Sequence, residues 1–187
     1  MARRLLEEDG PESVTMRHLA GDLGIKAPSL YKHFAGKSAV ELAIVCDGLV
    51  EIGEISHAAV ANPGERGPLM TLLREYRRYC VGHPNLYRLA TGRRWPRHEL
   101  PDGLEEWAGK PWYLVTGDPI LGQALWSFAH GVVILELDER FLPGSDPEGT
   151  LAAGGAAFLL STDEALLSTD GAVPPPPPES RPAGVRG

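Results

Sequence analysis

Between Val14 and Lys37 the chain reads VTMRHLAGDLGIKAPSLYKHFAGK, and its polar groups are spaced for gripping a polyanion rather than for making or breaking bonds. Arg17, Lys26, Ser29, Lys32 and His33, with Tyr31 at the edge, fall outside an apolar set of Leu19, Leu23, Ile25, Leu30 and Phe34. Guanidinium, ammonium and hydroxyl groups arranged in this way donate to phosphate oxygens and base edges. From Leu23 to Val40 there is no acid, only Lys26, Lys32, His33 and Lys37. The chain as a whole carries −7 over 187 residues, but unevenly. Residues 1–45 hold six Lys/Arg and six Asp/Glu, so the whole net charge lies beyond them. A local basic stripe suits phosphate, and an acidic remainder discourages indiscriminate sticking.

No comparable grouping supports catalysis. There is no nucleophile elbow, phosphate loop or metal-ligand cluster. His130, Glu136 and Asp138 are close in sequence, but a helix points them to different faces. The sequence is therefore read as that of a non-enzyme with no catalytic residue, no metal and no cofactor. Cys46 and Cys80 lack metal spacing, which favours free thiols in a reducing cytoplasm, with a redox-sensing pair as the alternative.

The elements that must position the polar set are helices. Ala2 to Asp9 reads as a first helix stopped by Gly10-Pro11. Thr15 can cap a second from about Met16 to Leu23, whose inward face is Met16, Leu19, Ala20 and Leu23. Gly24 is placed to take the left-handed conformation that ends it. A third spans Ala27 to Phe34, with Pro28 harmless in the first turn. Two short helices joined by a tight turn make a helix-turn-helix, which needs its second helix held rigidly so that side chains enter the major groove.

These residues carry a resemblance to the TetR (tetracycline-repressor-like) family of regulators. Thr15, Arg17, Leu19, Ala20, Leu23-Gly24, Leu30-Tyr31, His33-Phe34 and Lys37 match at the family's spacing over about 30 residues. The resemblance implies that Arg17, Ala27 and Pro28 face bases. It implies that Tyr31, Lys32, His33 and Lys37 grip phosphates, with Met16, Lys26 and Ser29 close by. Two departures stand out. Lys26 occupies the place of a capping serine, and Ala27 offers at most a methyl contact to thymine. The first helix is also short beside the family's.

Further along, a long fourth helix is predicted from about Lys37 to Val60, broken by Asn62-Pro63-Gly64, and a fifth from Pro68 to Val81. A short one follows His83-Pro84 to about Ala90. Residues 91–117 are predicted to be irregular apart from about 103–108. Asp118-Pro119 opens a helix to Leu137, and Asp146-Pro147-Glu148 opens the last one, to about Leu160. The predicted architecture is all-α: a helix-turn-helix domain at 1–45, a helical effector-binding and dimerisation domain at 46–161, and a disordered Pro-rich tail at 162–187.

Ile120 to Leu137 is apolar nearly all the way round, so it needs cover on two sides. With the small residues of LAAGGAAFLL it predicts a homodimer interface formed by Gln123, Ser127, Val133, Leu137, Leu151, Gly154, Gly155 and Phe158. Trp126, His130 and Gly131 resemble the Trp-His-Gly signature of one TetR C-terminal subgroup, as does His83 to Leu89 its helix-turn. His130 then has two roles open to it, a buried hydrogen bond or contact with a ligand. The resemblance implies an effector pocket, with Tyr76, Tyr79, Tyr87, Trp107, Trp112, Tyr113, Trp126, Phe128 and His130 as its candidate lining.

The expected partners are a double-stranded DNA operator, a second copy of the chain and a small-molecule effector. No signal peptide is seen in MARRLLEEDG, and no run reads as a membrane span, since Ile120–Leu137 holds Gln123, Ser127, His130 and Glu136. A cytoplasmic repressor follows. The alternative is a helical protein–protein adaptor that does not read DNA.

Overall fold

Helices begin where the sequence places its caps. The computed structural model describes residues 1–161, and among these every regular element is helical. The α-helices are α1 (Ala2–Asp9), α2 (Met16–Asp22), α3 (Ala27–Leu30), α4 (Lys37–Ala61), α5 (Pro68–Gly82), α6 (Pro84–Thr91), α7 (Leu104–Thr116), α8 (Pro119–Leu137) and α9 (Pro147–Leu159). Short 3-10 turns lie at Gly64–Arg66 and Arg97–Glu99. The tail expected to be disordered, 162–187, lies outside the described residues.

The described chain forms two compact units, and they do not follow sequence order. One comprises Met1–Val50 together with His83–Leu104; the other holds Glu51–Gly82 and the described residues from Glu105 onward. The expected boundary after residue 45 thus falls five residues later, inside α4, and α6 joins the N-terminal unit. The reason is a capping contact that spans 78 residues of sequence. His83, at the start of α6, offers no side-chain bond to the orphan amides there. The Glu7 carboxylate of α1 accepts from them instead, from Asn85 N at 3.2 Å and Leu86 N at 3.1 Å. Asn85 Nδ2 donates to the Glu7 carbonyl at 3.1 Å, and a carboxylate at a helix N-terminus also meets the positive end of the dipole.

In the second unit α5, α8 and α9 pack on one another. Gly155 lets α9 approach α5, because a Cβ there would sit 2.6 Å from Met70 Sδ and 2.7 Å from Leu73 Cδ1. One face of α8 (Gly122, Leu125, Ala129, Val132 and Val133) is buried. By length and composition α8 is long and apolar enough to cross a membrane, a test that a core helix of a folded domain passes as well. Arg77 of α5 clamps the far end of α8 by two bonds to the Glu136 carboxylate, 2.7 and 2.6 Å.

The main departure from expectation is α7, thirteen residues of regular helix with Pro111 inside it. Leu104, Trp107, Ala108, Pro111, Trp112 and Val115 recur at helical spacing and are all buried. Burying two tryptophans and their apolar neighbours outweighs the roughly 3 kcal/mol that a proline costs a helix interior. Pro111 cannot donate to the carbonyl four residues back, that of Trp107. His57 of α4 does so instead, its Nε2 lying 3.0 Å from Trp107 O. That bond requires the tautomer with the proton on Nε2. The rings of His57 and Trp107 stand 4.9 Å apart. Burial pushes His57 below the ordinary imidazole range, with the Trp107 bond opposing and Lys110 adding to the shift. Nothing in the sequence had singled out His57.

Candidate nucleic-acid interface

The reader is assembled from the N-terminal unit. Thr15 caps α2, its side chain accepting from His18 N at 3.1 Å. Gly24 adopts φ +66°, the left-handed turn expected of it. Ile25 N then donates to Ala20 O at 2.9 Å, closing the turn. α3 begins without a side-chain cap at Lys26, as its sequence implied. Only Ala27–Leu30 is regular α-helix. The next residues tighten, His33 N bonding Leu30 O, before Phe34 N returns to the same carbonyl at 3.0 Å. α2 packs on α3, and Leu5, Leu6, Val14, Leu19, Ala20, Leu30 and Val40 are buried in this unit.

Arg17, Lys26, Pro28, Ser29, Tyr31, Lys32 and His33 all reach solvent, and Ala27 is half-buried. No acid interrupts them between Leu23 and Val40. Four residues depart from expectation. Met16, expected close to the DNA, is only 7% exposed, on the inward face of α2. Leu23 and Ile25, expected to pack inward, are exposed at 49% and 42% because the Gly24 turn carries them outward. Lys37 is half-committed, its Nζ donating to Pro11 O at 2.7 Å and lying 3.7 Å from Glu41. It ties the start of α4 to the segment after α1, so its first effect is to position the reader.

Residues 1–44 match the model of the bacterial regulatory proteins, tetR family. Over these residues the chain carries the helix-turn-helix domain of that family. It is 34% identical over 92 residues to an HTH-type transcriptional regulator of Saccharopolyspora erythraea, covering 49% of this chain and 38% of that protein. It is 27% identical over 152 residues to an uncharacterized HTH-type transcriptional regulator of Mycobacterium tuberculosis, Rv0681, covering 73% and 66%. The chain therefore spans less than two thirds of the length of both relatives. Its fold is similar to a crystal structure described as that of a regulatory protein, SCO4313 (TM-score 0.64, 23% identity, 84% of this chain and 91% of that one). It is also similar to a protein of unknown function from Rhodococcus sp. RHA1 (TM-score 0.68, 20% identity, 86% and 91%).

Most of the aromatics suggested for a pocket fall into pairs. Tyr76 meets Trp112 edge-on at 5.0 Å, with both buried. Trp107 meets His57 in a tilted pair at 4.9 Å, and Trp126 stacks on His130 at 5.6 Å. Phe128 lies 6.0 Å from Phe158. Tyr79 donates to Glu51 at 2.9 Å, Tyr113 is 40% exposed, and Tyr87 belongs to the other unit. Burial lowers the His130 pKa. Of the residues suggested for a dimer face, Val133, Leu151 and Gly155 are buried within the unit and present no surface to another chain. Gln123 and Ser127 are exposed, while Leu137, Gly154 and Phe158 are half-buried. A Cβ at Gly154 would strike the Phe128 ring, so that glycine also serves packing within the unit. Cys46 and Cys80 are free and buried, and burial raises both thiols.

Proposed function

We propose that this chain is a repressor of transcription that binds a palindromic operator as a homodimer in the cytoplasm and is released by a small molecule held in its second unit. The observation that carries the reading is the capped α2, Gly24 turn and α3, which expose Arg17 together with Lys26, Ser29, Lys32 and His33, the last four on a stretch free of acid from Leu23 to Val40. Within it, Arg17 with Ala27 and Pro28 reads bases, while Tyr31, Lys32 and His33 hold phosphates. Ala27 brings no hydrogen-bonding group, so part of the discrimination falls to DNA shape.

Dimerisation is supported by the outer side of α8 and α9. Ile120 is 80% exposed and Leu160 91%, and Ala124, Leu135, Ala156 and Ala157 are exposed beside Gln123 and Ser127. Two readers on one palindrome reach an affinity that one short helix does not. An effector acts by binding one arrangement of the two readers better than the other. The resemblance of Trp126, His130 and Gly131 to the Trp-His-Gly subgroup makes the Trp126–His130 stack its first candidate contact.

Selection of duplexes from a random pool tests the reading. An enriched palindrome is expected, bound by a dimer in light scattering. Lys32→Ala should weaken all duplexes and flatten the salt dependence, whereas Arg17→Ala should weaken the enriched site most. An obligate monomer that enriches no duplex would support the adaptor instead.

A further inference from the structure

The N-terminal unit carries a second acid-free basic segment, outside the helix-turn-helix. From His83 to His98 there is no Asp or Glu, while Arg88, Arg93, Arg94 and Arg97 fall within it. The chain from Gly92 to His98 links α6 to the 3-10 turn and belongs to the same compact unit as the reader.

Its course is set by two contacts with α4. At the start of α6, Leu86 packs on Gly48, where a Cβ would lie 2.9 Å from Leu86 Cδ2. After α6, Arg93 reaches Glu41, its Nη2 donating to Oε2 at 2.8 Å. From Gly48 to Glu41 is about 10 Å along the helix axis toward its N-terminus. The chain therefore descends beside α4 to the end that carries Lys37, whose Nζ lies 3.7 Å from the same Glu41 carboxylate. This is the end that directly follows the helix-turn-helix and is fastened through Pro11 O to the segment between α1 and α2.

The segment is also held in place. The Arg93 guanidinium lies 3.8 Å over the Trp95 ring, and Trp95 Nε1 donates to Leu89 O at 3.2 Å. Glu41 is buried, its side chain 6% exposed, so the acid that anchors Arg93 adds little negative surface. Arg94 and Arg97 are exposed on either side of Trp95-Pro96.

We infer that residues 92–98 form a second contact with the DNA backbone, in which Arg94 and Arg97 grip phosphates beside the stretch read by α3. The segment brings cations and no base-reading geometry, so it adds affinity without sequence preference. The inference rests on the DNA-binding reading above, and the test separates the two.

Anisotropy titrations are run from low to moderate salt on a duplex enriched by the full-length wild-type chain. They compare that chain with Arg94→Ala/Arg97→Ala and Arg94→Lys/Arg97→Lys. Losing two phosphate contacts per protomer, four per dimer, lowers the log–log salt slope by about 3.6 and weakens binding on the order of 1000-fold at 0.15 M salt. The alanine pair should show that loss with unchanged base preference and an unchanged melting curve. The lysine pair, which keeps the charge, should keep the slope. Wild-type affinity and slope in the alanine pair overturn the inference and leave the regulator reading intact. A lysine pair as weak as the alanine pair also overturns it. A wild-type chain that enriches no duplex overturns both.

Discussion

His57 and Pro111 should be energetically coupled, because one supplies what the other withholds. His57→Leu keeps the bulk of the side chain but leaves Trp107 O without its 3.0 Å donor inside a buried helix. An orphaned buried carbonyl costs about 1–3 kcal/mol, and loss of the ring pair adds roughly 0.5–1.5 kcal/mol. In a Pro111→Ala background the new N–H at position 111 can reach the same carbonyl, so only the ring-pair loss remains. Pro111→Ala has opposing effects of its own, better helix propensity against a vacated buried ring. A double-mutant cycle cancels both. The expected coupling is about 1–2 kcal/mol, with His57→Leu costing less when Pro111 is absent. Denaturant unfolding followed by far-ultraviolet circular dichroism, at one fixed protein concentration, measures each corner. Costs for His57→Leu that agree within about 0.5 kcal/mol in the two backgrounds would refute the reasoning.

Other substitutions probe the same packing. Gly53→Ala places a methyl on the Trp107 ring, whose Cε3 and Cη2 lie 2.8 Å from the new carbon. The ring is buried and pinned by His57, so overpacking of about 1–3 kcal/mol outweighs the roughly 1 kcal/mol of helix propensity gained; a higher melting temperature for this variant would contradict that. Asp118→Ala should cost about 1–2 kcal/mol, since its carboxylate accepts from Ile120 N and Leu121 N, both at 2.8 Å. Asp146→Ala should cost less, because Asp146 makes no side-chain capping bond; equal losses would show that the bonds themselves matter little. For pH, burial lowers both His57 and His130. Unfolded histidines take up protons near pH 6.5 while these resist, so the unfolded state binds more protons and stability falls as pH drops from about 7 toward 5. His57→Gln/His130→Gln should flatten that fall, and an unfolding midpoint with the same pH slope in both proteins would rule the pair out.

Much of the helical order was legible because its signals are local. Thr15, Gly24, Asp118-Pro119 and Asp146-Pro147 mark ends through bonds and backbone angles within a few residues of themselves. The same locality made the polar set from Arg17 to His33 readable, since a helix-turn-helix fits in about twenty residues and faces follow from spacing. What misled was also local. Pro111 and the glycines of 91–117 argued against a long helix, and only the burial of Trp107 and Trp112 against their neighbours overrides them.

The sequence by itself determined an all-α chain with a basic, tetR-like reader at its N-terminus, because caps, turns and helical periodicity depend on nearest neighbours. Tertiary structure alone decided that Glu7 caps α6, that His57 serves the carbonyl freed by Pro111, and that Leu23 lies outside. It also brought Arg93 down to Glu41. Each of these joins or separates groups by packing rather than by spacing, and three of them bridge fifty or more residues. The free energy of such contacts comes from burial that no local pattern encodes.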